Sequence, residues 1–93
     1  MTASIRLEPI LDIRAAAPLR ETLLAHAGMP VTLDAGQVGR LGALCLQVLL
    51  AAKADWSAKG APFSIRDPSA AFTDTVRLFG AQDALGPAMS VGA

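Results

Sequence analysis

The feature that most constrains the fold is a strand, a loop and a long helix in the middle of the chain, at Val31–Lys59. Val31–Asp34 is a β-branched and apolar run closed by Asp, which is typical of a buried strand. A small-residue loop, 35–40, follows, and Leu41–Lys59 is rich in Leu and Ala and predicts a helix that Gly60 ends. The loop therefore delivers a helix N-terminus, with free N–H groups and a partial positive charge, to one edge of a sheet.

Two strands and a helix are predicted before this segment. Residues 4–8 alternate polar with apolar, and residues 10–13 predict a second strand, antiparallel to the first through a turn at Pro9. The residues that follow favour a helix. Pro18 is tolerated only in a first turn, so we expect this helix to begin at Ala16 or Ala17 and to end at Gly28.

A strand and a helix are predicted after the long helix. Residues 63–66 alternate as a strand, and Ser69 is placed to cap a helix that Gly80 closes. The expected buried face of that helix consists of Phe72, Val76 and Phe79. A further turn of helix is possible at 82–85. The predicted fold is an α/β domain over residues 1–93, in the order ββαβαβα, with a mixed four-stranded sheet covered by helices on one face.

The composition excludes several function classes. Eight basic side chains balance eight acidic ones, so no basic excess attracts nucleic acid or anionic lipid. Cys45 is the single cysteine, which excludes an internal disulfide and favours a reducing compartment. The longest apolar segment, Leu41–Ala54, is too short to span a bilayer. We therefore expect a cytoplasmic protein without cofactors and without direct membrane insertion.

The order and spacing of these segments resemble the STAS domain, named for sulfate transporters and anti-sigma-factor antagonists. The resemblance covers nearly the whole chain and is carried by Val31–Asp34, Val38, the long Leu/Ala helix ending in Gly60, the next strand, Pro68-Ser69 and Phe79-Gly80. In that family the loop before the long helix typically reads Asp-Ser-Ser-Gly, and a partner kinase phosphorylates the first serine. The resemblance thus implies a STAS-like fold and a protein partner.

The polar members of that motif are absent from this chain. The pattern puts Gly42 at the acidic position, Ala43 at the phosphorylated serine, Leu44 at the second serine and Cys45 at the glycine. Because Ala43 has no oxygen to modify, we expect no phosphorylation there, while other serines and threonines stay open. Regulation would then come from the partner's side or from concentration.

The few side chains that could act in catalysis or metal binding do not form a catalytic site in the sequence pattern. His26 is the only histidine, and a structural role at a helix C-terminus is the favoured interpretation over metal binding. Cys45 could be a nucleophile at a helix N-terminus but is favoured as a small core residue. Asp34 could contact a ligand at the end of its strand, or bond the amides of Gly36 and Gln37 as a turn residue. No enzyme is predicted.

A partner-binding surface is the favoured prediction. The predicted apolar stripe of the long helix consists of Cys45, Val48, Leu49, Ala52 and Trp56. Leu46 and Leu50 lie on the face beside this stripe, and either both contact a partner or Leu46 belongs to the core and Leu50 alone is exposed. The predicted docking surface comprises Asp34, Gly36, Gln37, Gly39, Arg40, Gly42, Ala43, Leu46, Gln47 and Leu50. The expected function is a regulatory adaptor for a signalling kinase or a chemotaxis or sigma-factor regulator. The alternative is an accessory subunit of an ABC-type lipid-transport or transporter ATPase; the oligomeric state stays open.

Overall fold

A parallel three-stranded sheet and a two-stranded parallel ribbon organise the fold. The computed structural model describes residues 2–85. The elements in chain order are β1 (Ala3–Arg6), β2 (Ile10–Leu11), α1 (Ile13–Ala25), β3 (Val31–Asp34), β4 (Arg40–Leu41), α2 (Ala43–Ala58), β5 (Phe63–Arg66), α3 (Ala70–Leu78) and α4 (Gln82–Leu85). The α/β class and the short helix at 82–85 are as predicted, whereas the strand order is not.

The three-stranded sheet has the order β1-β3-β5, and its two faces differ in polarity. Equivalent residues share a row across the strands, from Ala3, Val31 and Phe63 at one end to Arg6, Asp34 and Arg66 at the other. Alternate rows supply apolar residues to a core that also takes the buried side chains of α1, α2 and α3. The opposite face carries Ser4, Arg6, Thr32, Asp34, Ser64 and Arg66, which are exposed or half-buried.

The predicted antiparallel pairing of the first two strands is wrong, and with it the mixed four-stranded sheet. The Leu7 N–H still donates to the Asp34 carbonyl at 2.9 Å, so the chain follows β3 past the end of β1. The Pro9 carbonyl then accepts from the N–H groups of Gly39 at 2.8 Å and Arg40 at 3.2 Å. These bonds pair β2 with β4 in parallel. The residues of β4 were predicted to lie in the loop and at the start of the long helix.

The first helix begins at Ile13, three residues before the predicted start. The Asp12 carboxylate caps it by accepting hydrogen bonds from the N–H groups of Arg14 at 3.0 Å and Ala15 at 3.3 Å. Pro18 consequently lies in the second turn, where it lacks the N–H that would bond Arg14. Both residues are exposed, so water can reach the carbonyl that this leaves without a helical partner.

The long helix begins at Ala43, because the preceding Arg40–Leu41 pair forms β4. Its buried side chains are Cys45, Leu46, Leu49, Ala52 and Trp56. The predicted stripe is correct except that Val48 is half-buried and Leu46 is fully buried. Trp56 is 2% exposed and donates its indole N–H to the Met29 carbonyl at 2.6 Å. None of the helices within residues 2–85 has the length and apolarity needed to cross a membrane.

The third helix is capped by Ser69 as predicted, and it buries two of the three expected residues. Phe72 and Val76 are buried, whereas Phe79 is 54% exposed. Phe79 is the C-cap of a helix that ends at Leu78, so it no longer follows the helical register. The Ser69 hydroxyl also donates to the Val38 carbonyl, which ties the start of α3 to the loop after β3.

The two phenylalanines allow a matched test of this packing. We expect Phe72→Ala to lower the free energy of unfolding by about 3–5 kcal/mol, because it leaves a cavity in the core. Phe79→Ala should change it by less than about 1 kcal/mol, because the ring is mostly in water already. Urea denaturation measures both variants. Equal losses would contradict the end of α3 at Leu78.

Candidate partner-binding site

The N-terminus of α2 has no side chain to cap it. Gly42 is the N-cap and makes no side-chain hydrogen bond, and the first turn holds no acidic residue. The first N–H groups of a helix have no partner within the helix, and together they carry a partial positive charge. This end of α2 therefore suits a carboxylate or a backbone carbonyl supplied from outside.

The β2–β4 ribbon brings the starts of α1 and α2 side by side. The Gly42 N–H donates to the Leu11 carbonyl at 2.8 Å, which continues the ribbon into the N-cap of α2. The Cys45 thiol donates to the Asp12 carbonyl at 3.2 Å. Because Asp12 is the N-cap of α1, both helices begin at the same edge of the molecule.

Apolar side chains surround this edge. Ile10 and Arg40 are register partners in the ribbon and both are exposed, whereas their neighbours Leu11 and Leu41 are buried. Ile13, the first residue of α1, is 76% exposed, and Leu44 in the first turn of α2 is 44% exposed. We call the exposed residues at this edge the α2 N-terminal surface: Ile10, Ile13, Arg40, Ala43, Leu44 and Gln47.

Three members of this surface, Ile10, Ile13 and Leu44, are not among the predicted docking residues. Ile10 and Ile13 were predicted only as members of the second strand, which is confirmed for Ile10 and wrong for Ile13, and Leu44 was considered only as a member of the serine motif. The useful signal was Asp12, a strong helix N-cap residue directly before an Ala-rich run. Reading it as a cap would have placed Ile13 at the first helical position, next to solvent.

The predicted docking residues divide between surface and core. Gly36, Gln37, Gly39, Arg40, Ala43 and Gln47 are exposed, and Gly42 is half-buried. Leu46 is only 2% exposed and is a core residue, so its inclusion in the docking surface is wrong. Leu50 is half-buried and packs against the core. Leu46 faces inward because α2 packs on the sheet across a wider arc than the predicted stripe.

Asp34 acts as a turn residue. Its carboxylate accepts from the Gly36 N–H at 3.0 Å and from Arg66 Nη2 at 3.3 Å. The hydrogen bond from the Gly36 N–H lowers the pKa of Asp34, desolvation offsets part of that effect, and Arg66 lowers the pKa further. Of the two predicted bonds to Asp34, the one from the Gly36 amide is confirmed, whereas the hydrogen bonds among residues 2–85 include none from the Gln37 amide to Asp34.

The surroundings of Cys45 and His26 favour a structural role for each residue. Cys45 is fully buried, and this burial, with Asp12 nearby, raises the pKa of its thiol. The neutral thiol is a poor nucleophile. His26 caps the end of α1, where its Nδ1 lies 2.9 Å from the Thr22 carbonyl oxygen. Among residues 2–85, no group of three His, Cys, Asp or Glu side chains is placed to hold a metal ion.

A small α/β domain with a parallel sheet and a helix N-terminus presented at its edge is the arrangement that the resemblance to STAS domains implies. The family model described as "Mlab, STAS domain" matches residues 2–87, so the chain belongs to the STAS domain family. A comparison with the curated proteins found no match. STAS domains are generally non-catalytic regulatory domains that commonly bind protein partners. The predicted family is therefore confirmed.

Two glycines test the geometry of this edge. A Cβ at Gly42 would lie 3.1 Å from the Leu11 carbonyl oxygen, which is already bonded to the Gly42 N–H. We expect Gly42→Ala to lower the free energy of unfolding by about 1–3 kcal/mol, since the ribbon must shift. A Cβ at Gly39 would meet only the Pro9 carbonyl oxygen at 3.7 Å, so Gly39→Ala should be neutral or stabilising by up to about 1 kcal/mol.

Thermal unfolding of the two alanine variants, followed by circular dichroism, measures the difference. A Gly42→Ala variant as stable as the Gly39→Ala variant would contradict the close contact between β2 and the start of α2.

Proposed function

We propose that this chain is a non-catalytic regulatory adaptor that binds a protein partner through the α2 N-terminal surface. The observation that carries the proposal is the exposure of Ile10, Ile13 and Leu44 around an uncapped helix N-terminus. Large apolar side chains grouped at one exposed site favour protein contact. The family supports the same conclusion, because STAS domains commonly bind proteins.

The surface offers both apolar anchors and fixed polar groups. The three apolar side chains would fill pockets on the partner, and interface energy typically concentrates in a few such residues. The free N–H groups at the start of α2 and the Arg40 side chain favour a carboxylate or a carbonyl oxygen opposite them. Among residues 2–85 no ion pair involves Arg40, so its guanidinium is available to a partner.

The partner class we favour is a signalling kinase or another regulator, bound without phosphorylation at Ala43. Ala43 is exposed at the start of α2 and has no hydroxyl group. A phosphate there would add about −1.5 to −2 charges, which is how such a site would switch an interface. Because Ala43 cannot carry a phosphate, the α2 N-terminal surface keeps a single charge state at this position.

The fixed state of this surface also favours a second candidate function. A permanent accessory subunit of an ABC-type ATPase complex needs no phosphorylation switch, and Ala43 fits that role. Co-expression with a candidate ATPase subunit, followed by size-exclusion chromatography, distinguishes the two. A stoichiometric complex with the ATPase favours the accessory subunit, and a complex with a kinase favours the signalling adaptor.

Ile13 and Leu78, two large apolar residues of similar exposure, provide a test of the docking surface. Ile13→Asn should weaken binding of the partner by about tenfold, because it removes an apolar anchor. Leu78→Asn is the matched control, since Leu78 is 80% exposed on α3 and outside the α2 N-terminal surface. Arg40→Glu should weaken binding in the same direction. Isothermal titration calorimetry with the identified partner measures all three. Equal affinities for the Ile13 and Leu78 variants would contradict the proposal.

Phosphorylation is tested separately with ATP and a purified candidate kinase. We expect the wild-type chain to stay unlabelled, because Ala43 has no acceptor oxygen, and Ala43→Ser to acquire one phosphate. Phosphopeptide mass spectrometry locates the label. Modification of the wild-type chain at Ser57, Ser64 or Ser69 would show that the regulatory site lies elsewhere.

A further inference from the structure

A groove of about 500 Å³ runs between α1 and α2. Helix α2 lines it with Leu44, Gln47, Val48 and Ala51, which recur at helical spacing on one face. Helix α1 contributes Leu24, and Ala27 contributes from the turn that follows α1. Leu44 and Gln47 also belong to the α2 N-terminal surface, so the groove continues that surface along the two helices.

The groove is shaped for close approach of a large partner. Ala27 and Ala51 are exposed small residues in its lining, while Leu24 and Leu44 are 52% and 44% exposed. Such an open site does not enclose a small molecule, which usually has most of its surface buried in its pocket. Small residues between larger apolar ones instead let another element of protein structure lie close to both helices.

A helix fits this groove better than an extended strand. The walls are two helices, whose interior backbone groups bond within each helix and offer nothing to the N–H and C=O groups of a strand. A helix satisfies its own backbone and presents ridges of side chains that pack between the side chains of its neighbours. The lining of α2 extends from Leu44 to Trp56, which corresponds to about 18 Å or just over three helical turns.

The charges around the groove favour an acidic occupant. Asp55 is engaged by Lys59, with Asp55 Oδ2 3.2 Å from Lys59 Nζ. Arg20 also lines the groove, and none of the ion pairs among residues 2–85 involves it. The groove therefore carries one uncompensated positive charge on the α1 side, and an acidic side chain on the flank of an incoming helix would complement it.

We propose that the α1–α2 groove binds one acidic amphipathic helix of the partner protein. This inference rests on the proposed function, because it treats the groove as the continuation of the α2 N-terminal surface. The apolar face of the partner helix lies over Ala27, Val48 and Ala51, and a carboxylate on its flank meets Arg20.

The probe for this inference is a synthetic amphipathic peptide of about 18 residues, long enough to form a helix, with Leu on one face and Glu on both flanks. Titration into the isotopically labelled chain should shift the amide resonances of Ala27, Gln47 and Ala51. A peptide of the same composition in scrambled order should bind at least tenfold more weakly, because its apolar residues share no face.

Two alanines on α2 give the matched variants. Ala51→Arg should weaken binding of the peptide at least tenfold by filling the groove, whereas Ala54→Arg should change it less than twofold, because Ala54 is exposed on the same helix outside the groove. Arg20→Glu should weaken binding of the Glu peptide and strengthen that of a Lys analogue. Absence of binding at millimolar peptide, shifts clustered elsewhere, or equal effects of the two arginine variants would overturn the inference.

The affinity of the partner protein for the variants distinguishes this inference from the proposed function. If Ile13→Asn weakens partner binding and Ala51→Arg does not, the docking surface stands and the helix-binding groove fails. If Ala51→Arg alone weakens partner binding, the groove stands and the α2 N-terminal surface fails.

Discussion

The hydrogen bond from the Gly42 N–H to the Leu11 carbonyl determines how the exposed edge of this domain is built. It links the β2–β4 ribbon to the start of α2, and the Cys45 thiol adds a second bond to Asp12 at the start of α1. Neither bond belongs to the main sheet. Together they hold two helix N-termini next to each other, and the exposed apolar side chains around them follow from that placement. A Cβ at Gly42 would lie too close to this carbonyl, which explains why a residue without a side chain occupies the N-cap.

The parts of the fold that the sequence predicts are those with a long local pattern. β3 is a β-branched and apolar run, β5 alternates polar with apolar residues, and α2 is a long segment rich in Leu and Ala, so the type of each element follows from its local sequence. The ribbon strands have two residues each, which is too short for any period to show. Their pairing depends on the Pro9 carbonyl and the Gly39 N–H, which lie far apart in sequence. The start of α1 was missed for a different reason, because Pro18 was expected only in a first turn, whereas the helix capped by Asp12 accommodates it in the second turn.

The helix N-terminus at the edge of the sheet could be predicted from the sequence, whereas the exposure of the side chains around it could not. The loop and the N-terminus of α2 follow from the order strand, loop, helix. Which side chains are exposed there depends on how far α2 rotates against the sheet, and an apolar helix gives little indication of that rotation. Leu46 could therefore be assigned either to the surface or to the core, and it is buried, while Ile13 was placed in the second strand although it begins α1 and is exposed.

Helix α2 is rich in apolar residues because it has two apolar faces. One face, centred on Leu49, packs in the core, and the adjacent face, centred on Val48 and Ala51, lines the groove against α1. The remaining side carries Lys53 and Ser57, whose side chains bond to each other at 2.9 Å in solvent. A helix that served only the core of a small domain would keep a wide polar side. If the partner covers the groove face when it binds, both apolar faces of α2 are removed from water. That would explain why the polar side of α2 is narrow.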